Sequence, residues 1–346
     1  MARVLGVVLL AAWPWIPGGP AAGVGLSAGD IVAIEASGLF GSQPGPLVHV
    51  DPESGARTTL ADGAFSDVAV SRDRGIFALG SDAIVEVDAS TGATRTIRSV
   101  TGLASPTGIA VGDDGSLFVA EQVPAGPGAS AGLTRIDPAS GEATPLAPLG
   151  SFGRVRDLEF SPRGDVVVLA DRPGGDVGEE RVFLVDALSG ASVLTSLGVQ
   201  SGGALGVSAD GGLIGAAAFG FQGTGSPGLD VDSGGLFPLP VPLFVNDAGP
   251  CSPGPGCVSQ QLRADLAFDD QGRLLSSGSG IEDPTPGLGP RLFRIDVASG
   301  AAETVTDGPF AEIQVVRGPS AAVPEPAAAL LFGLAFAAVA ERCRRL

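Results

Sequence analysis

The chain contains no tyrosine and no lysine, one histidine (His49), one methionine and three cysteines in 346 residues. So few histidines and phenols leave little supply of general bases, zinc ligands or phenolic acids, and any catalysis would rest mainly on carboxylates. With lysine absent, all 20 cations are arginine; they face 38 Asp and Glu for a net charge of −18. An excess of that size repels phosphate backbones, which excludes nucleic acid as a partner. Helix-tolerant composition is also scarce: 54 Gly and 28 Pro make up about a quarter of the chain, which excludes a helical bundle. Charged residues are only 17%, whereas hydrophobic residues reach 44% and mean hydropathy is +0.34. That is enough apolar surface to bury a core, so the sequence predicts an all-β fold.

The two ends read as addresses. Met1-Ala2-Arg3 is followed by the apolar run Val4–Trp13, the breakers Pro14, Pro17, Gly18 and Gly19, and small residues through Ala28. This is the three-part layout of a secretory signal peptide, with cleavage expected between Ala21 and Ala28. At the other end, Val323-Pro324-Glu325-Pro326 precedes an apolar run over 327–340 and then Glu341-Arg342-Cys343-Arg344-Arg345-Leu346. Fourteen helical residues span about 21 Å, shorter than the roughly 30 Å hydrocarbon core. The prolines give the run a sharp start, and Arg342, Arg344 and Arg345 make a stop that stays cytoplasmic. This tail resembles the PEP-CTERM sorting signal of Gram-negative bacteria. The resemblance implies transient inner-membrane anchoring, recognition of Val323, Pro324, Glu325 and Pro326 by an exosortase-like membrane protease, and a final location in the cell envelope or outside the cell. The expected organisation is a signal peptide over 1–28, a β-domain over 29–318, and a linker with sorting signal over 319–346. In an oxidising compartment Cys251 and Cys257 would either close a small disulfide loop or remain two free thiols.

Between the ends, Asp-x-x-[Ser/Thr]-Gly follows an apolar triplet six times: at Asp51–Gly55, Asp88–Gly92, Asp137–Gly141, Asp186–Gly190, Asp230–Gly234 and Asp296–Gly300. The glycines are 37, 49, 49, 44 and 66 residues apart, a period characteristic of propellers and solenoids. Each copy is a turn first: Asp and Ser/Thr oxygens satisfy nearby N–H groups and Gly accepts positive φ. Before most copies come two short apolar runs around a polar turn, as in Gly108–Val111 and Leu117–Ala120. Runs of three to five apolar residues bounded by turns read as strands covered on both faces. Four strands per unit make a propeller blade. Residues 30–35 read as a second strand without its first and 310–316 as a first strand without its second, so pairing them closes a six-bladed β-propeller. The units resemble NHL and YVTN-type propeller repeats, most clearly at 108–120.

Tight turns then fall on one face and the long crossings on the other, which is the expected recognition surface. Carboxylates gather near the starts of those crossings, and Glu35, Glu121 and Asp171 are the candidate Ca²⁺ ligands. With a metal in the channel the protein would be similar to lactonase-type propellers, implying a Ca²⁺-dependent hydrolase of lactones or esters. The plainer reading of these carboxylates is an acidic rim, because no ligand motif of fixed spacing is present. His49, between two valines, reads as a structural strand residue. The primary expectation is therefore a non-enzymatic surface or matrix-associated binding module for polysaccharide or envelope proteins.

Overall fold

The computed structural model describes residues 24–35, 44–123, 130–172, 179–200, 204–217, 227–238, 264–278, 291–299 and 301–318. The sorting-signal residues 323–326, the arginine tail, Cys251 and Cys257, and the signal run all lie outside these segments. Among the described residues no helix is long and apolar enough to cross a membrane. The described residues are almost wholly β, with a single 3₁₀ turn among them at Val100–Gly102.

Among the described residues twenty-three strands form five antiparallel sheets. The first has seven strands. Its order is β23 (Phe310–Val315), β1 (Ile31–Glu35), β2 (Gly45–Val50), β3 (Arg57–Val70), β4 (Ile76–Gly80), β5 (Ala83–Val87), β6 (Thr94–Ser99). The ends of the described chain therefore meet as the sequence predicts: Ile31 pairs with Val315 and Ala33 with Ile313. The remaining sheets are four-stranded meanders. They comprise β7 (Pro106–Val111), β8 (Leu117–Val123), β9 (Ser130–Ile136) and β10 (Ala143–Phe152); then β11 (Val155–Phe160), β12 (Asp165–Asp171), β13 (Glu179–Asp186) and β14 (Ser192–Gln200). Next come β15 (Ala204–Val207), β16 (Leu213–Ala217), β17 (Pro227–Asp230) and β18 (Leu236–Pro238), and last β19 (Ala264–Phe268), β20 (Leu274–Gly278), β21 (Arg291–Ile295) and β22 (Ala302–Asp307).

One feature departs from the expectation of a separate sheet per unit. β3 is continuous over 14 residues: its first half pairs with β2 and its second half with β4, so the first two units share one strand. The linker Asp62-Gly63-Ala64 is too short to turn the chain out of the sheet, and the register shifts there instead.

The inner strands touch in a cycle: β3 with β7, β7 with β11, β11 with β15, β15 with β19, β19 with β23, and β23 with β3. The hydrophobic side chains sort accordingly. Instead of one central core there are six clusters, each between consecutive stacks of strands. Ile34 and Leu47 meet Val68 and Ile76 within the seven-stranded sheet; Leu79 and Ile84 meet Ile109 and Val119 at the next interface. Stacked Phe118–Phe160 and edge-on Phe152–Phe183, with centroids 5.8 and 5.1 Å apart, join the following two sheets. Such pairs add about 0.5–1.5 kcal/mol beyond burial.

The repeated Asp-x-x-[Ser/Thr]-Gly segments are the turns the sequence predicts, including the copy at Asp230. Asp51 Oδ1 accepts from Glu53 and Ser54 N–H at 2.9 and 2.8 Å, and Asp230 Oδ1 accepts from Asp232 and Ser233 N–H at 3.0 Å. Main-chain N–H donors are the first cause that holds the carboxyls of Asp51 and Asp137 below the ordinary range, while the hydroxyls of Ser90, Ser189 and Ser299 are the first cause at Asp88, Asp186 and Asp296, with main-chain N–H groups second. The turn glycines do a second job that periodicity does not reveal. A Cβ on Gly190 would sit 2.0 Å from the Leu146 carbonyl oxygen, and one on Gly55 2.2 Å from that of Val305. Each of these turns wedges against the outer strand of the preceding sheet.

Substituting Gly190, which has φ +72° and this contact, is expected to cost more than about 3 kcal/mol. Gly115, with φ +80° and open space around it, should lose only the left-handed backbone penalty of about 1–2 kcal/mol when changed to Ala. Urea unfolding of Gly190→Ala beside Gly115→Ala checks this, and equal losses would refute the wedge.

Candidate functional site

The six inner strands surround a channel whose inward positions are set by the register. Asp67 stands in the second half of β3, and Asp157 and Asp265 stand near the starts of β11 and β19, on alternate inner strands. Each carboxylate makes the same pair of bonds. One oxygen accepts the N–H of the next residue: Val68 at 2.6 Å, Leu158 at 2.6 Å, Leu266 at 2.9 Å. The other reaches across to the next inner strand, accepting from Ile109 N–H at 2.7 Å, from Leu205 N–H at 2.5 Å and from Ile313 N–H. The strands that receive these bonds carry Gly108, Ala204 and Glu312 just before the donating residue. Three of the six interfaces are thus stapled by a side-chain-to-main-chain hydrogen bond.

Two residues further along, the channel narrows. Glu159 on β11 and Gln314 on β23 come from strands three steps apart in either direction around the cycle, and Gln314 Nε2 donates to Glu159 Oε1 at 2.7 Å. The other positions at this level are Ala69, Ala110, Gly206 and Ala267. Burial raises the Glu159 carboxyl to about 8, with Asp157 adding to the rise and Arg317 opposing it. Asp67 and Asp265 are pushed up by burial first and by Asp157 second. Beyond this bridge, at the face carrying the tight turns, Arg317 donates to the Val207 carbonyl at 3.1 Å and Arg72 pairs with Asp113 at 2.9 Å. The cleft lined by Arg72, Asp113, Glu159, Gln314 and Arg317 has room for about 20 Å³ of solvent, roughly one water.

The carboxylates singled out from the sequence lie on the second strands of three different stacks: Glu35 and Asp171 end β1 and β12, and Glu121 stands two residues before the end of β8. Glu35 pairs with Arg57 at 2.8 Å. Glu121 accepts the Ala104 N–H at 2.8 Å and the Thr134 hydroxyl. Asp171 is buried at the end of β12, and its backbone exchanges hydrogen bonds with Gly153 and Arg154. Among the described residues, no three His, Cys, Asp or Glu side chains are arranged to hold a metal ion. His49 is buried on β2 with Nε2 3.3 Å from Asp30 Oδ2. Sequence reading missed Asp67, Asp157 and Asp265. The available signal was an Asp immediately before an apolar first strand in every second unit, 90 and then 108 residues apart.

Removing one staple leaves a buried N–H unpaired, which costs about 1–3 kcal/mol. Asp67→Ala is therefore expected to lower stability by about 2 kcal/mol in urea unfolding, and an unchanged midpoint would refute the staple's role.

No protein-family model and no curated protein matches the chain. Several solved structures do. TolB from Acinetobacter baumannii superposes with TM-score 0.59 at 16% identity, covering 82% of this chain and 66% of its own. A chain of a nidogen–laminin complex gives 0.57 at 12%, covering 83% and 98%. A gluconolactonase from Xanthomonas campestris gives 0.52 at 15%, covering 86% and 91%. At such identities the likeness reaches the architecture alone: the cyclic arrangement of stacked sheets is that of a β-propeller.

Proposed function

We propose that this protein is an exported six-bladed propeller acting as a surface or matrix-associated binding module for polysaccharide or protein, with the long crossings as its recognition face. In this reading β23, β1, β2 and the first half of β3 form one blade, and the second half of β3 with β4, β5 and β6 forms the next. The carrying observation lies at the tight-turn end of the channel: among the described residues its carboxyls already serve neighbouring N–H groups and the Gln314 amide, and the cleft beside them has room for about one water. A space of about one water cannot take a sugar or a lactone. Recognition then falls to the crossings at the opposite end, which leave the rigid scaffold beside Glu35, Glu121 and Asp171.

A hydrolase would need some of those carboxylates to turn from their present partners to a cation. Melting of the purified protein with EDTA and with Ca²⁺, together with turnover of a lactone panel, separates the two readings. The binding module predicts no thermal shift and no turnover. EDTA-sensitive hydrolysis lost in Asp171→Ala would replace it with the enzyme.

Export and exosortase processing rest on the two terminal patterns. One structural detail supports cleavage early in the expected window: Leu26 is buried among the side chains of the first sheet, Val24 N–H donates to the Ala89 carbonyl at 3.0 Å, and Arg74 donates to the Leu26 carbonyl at 2.7 Å. Intact mass of the exported protein should therefore show a chain beginning at or before Val24 and lacking the 327–346 tail. A product starting after Leu26, or one retaining that tail, would contradict the reading.

A further inference from the structure

β23 differs from the other inner strands in one covalent respect. Every other inner strand runs through a tight turn directly into the second strand of its stack, as at Ser71–Gly75 or Gly112–Ser116. β23 meets its neighbour β1 only through hydrogen bonds, because the two lie at opposite ends of the described chain. It is also the strand on which the channel contacts converge. Ile313 N–H is stapled by Asp265, Gln314 bridges to Glu159, Arg317 donates to the Val207 carbonyl, and Gly318 N–H donates to Asp270 at 2.9 Å.

The groups facing this convergence are predominantly acidic. Asp67 comes from β3, Asp157 and Glu159 from β11, Asp265 from β19 and Glu312 from β23 itself; β7 and β15 contribute Gly108 and Ala204 at the same level. Arg317 is the cation nearest Glu159. The tight-turn mouth adds Arg72, Asp113 and Asp270, and Arg156 is already engaged by buried Glu180 at 2.9 Å. Several carboxyls packed together cannot all be ionised at once without strong repulsion.

We propose that this carboxyl cluster, with Glu159 at its centre, is a proton-operated clasp on the closing strand. While Glu159 retains its proton β23 stays seated in the ring; once Glu159 is ionised, its buried charge, repelled by Asp157 and only partly offset by Arg317 and Gln314, is relieved when the strand that has no covalent turn to hold it opens to water. The direction follows from linkage. In the folded protein Glu159 keeps its proton to about pH 8, whereas an unfolded or released glutamate gives it up near 4.5. The closed state binds more protons over that interval. The stabilisation that proton confers is therefore complete below about pH 4.5, declines as pH rises, and is gone above about pH 8.

Hydrogen exchange, corrected for its intrinsic pH dependence, tests the clasp on fragments covering residues 310–318 and 165–171. Between pH 6.5 and 9 the 310–318 fragment of the full protein should lose protection roughly thirtyfold while 165–171 holds. Glu159→Gln keeps an acceptor for Gln314 but cannot ionise, so it should hold protection across the range. Asp113→Asn, which alters the mouth but not the buried cluster, should follow the unsubstituted protein. Constant protection in the unsubstituted protein, an equal loss in Glu159→Gln, or an equal loss in both fragments would each overturn the proposal.

Discussion

A ring of sheets has no hydrophobic centre, so its integrity depends on what joins each stack to the next. Here the joining element nearest the axis is a carboxylate that reaches one strand over and takes a main-chain N–H, at Asp67, Asp157 and Asp265. A hydrogen bond of this kind specifies more than apolar contact does, because it fixes the height of one inner strand against its neighbour. The six apolar clusters then supply the bulk of the free energy. Gly55 and Gly190 set the spacing at the rim by letting one turn touch the outer strand of the preceding sheet.

The all-arginine cation set belongs to the same scheme. Arg98 donates to the Gly141 carbonyl at 2.7 Å and Arg294 to the Pro52 carbonyl at 3.0 Å, each from one sheet to a turn of the next stack. Arg163 grips Asp232 with two nitrogens at 2.7 and 3.0 Å, and Arg72 meets Asp113 across another interface. A planar guanidinium offers several donors in fixed directions, which suits bridging to carbonyls and carboxylates at once. In a chain of net charge −18 these cations are committed to interfaces, leaving the exterior strongly acidic. A net charge of that sign disfavours polyanionic partners and favours hydration of the surface.

Much of this architecture was legible in the sequence because it is local. The Asp-x-x-[Ser/Thr]-Gly turns carry their own hydrogen-bond partners, so the motif and the geometry coincide even at Asp230, where the flanking sequence is poor in strand formers. The pairing of 31–35 with 310–315 could be inferred because each end lacked a partner within its own unit. The continuous β3 was not legible: Asp62-Gly63 has the composition of a turn, and only the distance between consecutive stacks makes it a shift of register. The staples were hidden for a different reason. An Asp before an apolar run looks like turn chemistry, and its acceptor role depends on a strand 42 to 48 residues away. The Glu159–Gln314 bridge, 155 residues apart, exists only once the ring is closed.

The account stands most directly on the three inter-strand amides, Ile109, Leu205 and Ile313. Residue-resolved amide exchange at pH 6, below the value of about 8 to which burial raises Glu159, measures whether those N–H groups are bonded in solution. The predicted result is that all three exchange only when the whole protein opens, at the rate of Val167 in the centre of β12. Exchange as rapid as that of an unprotected surface amide at any of them would mean that the stack it belongs to is not tied to its neighbour at the axis.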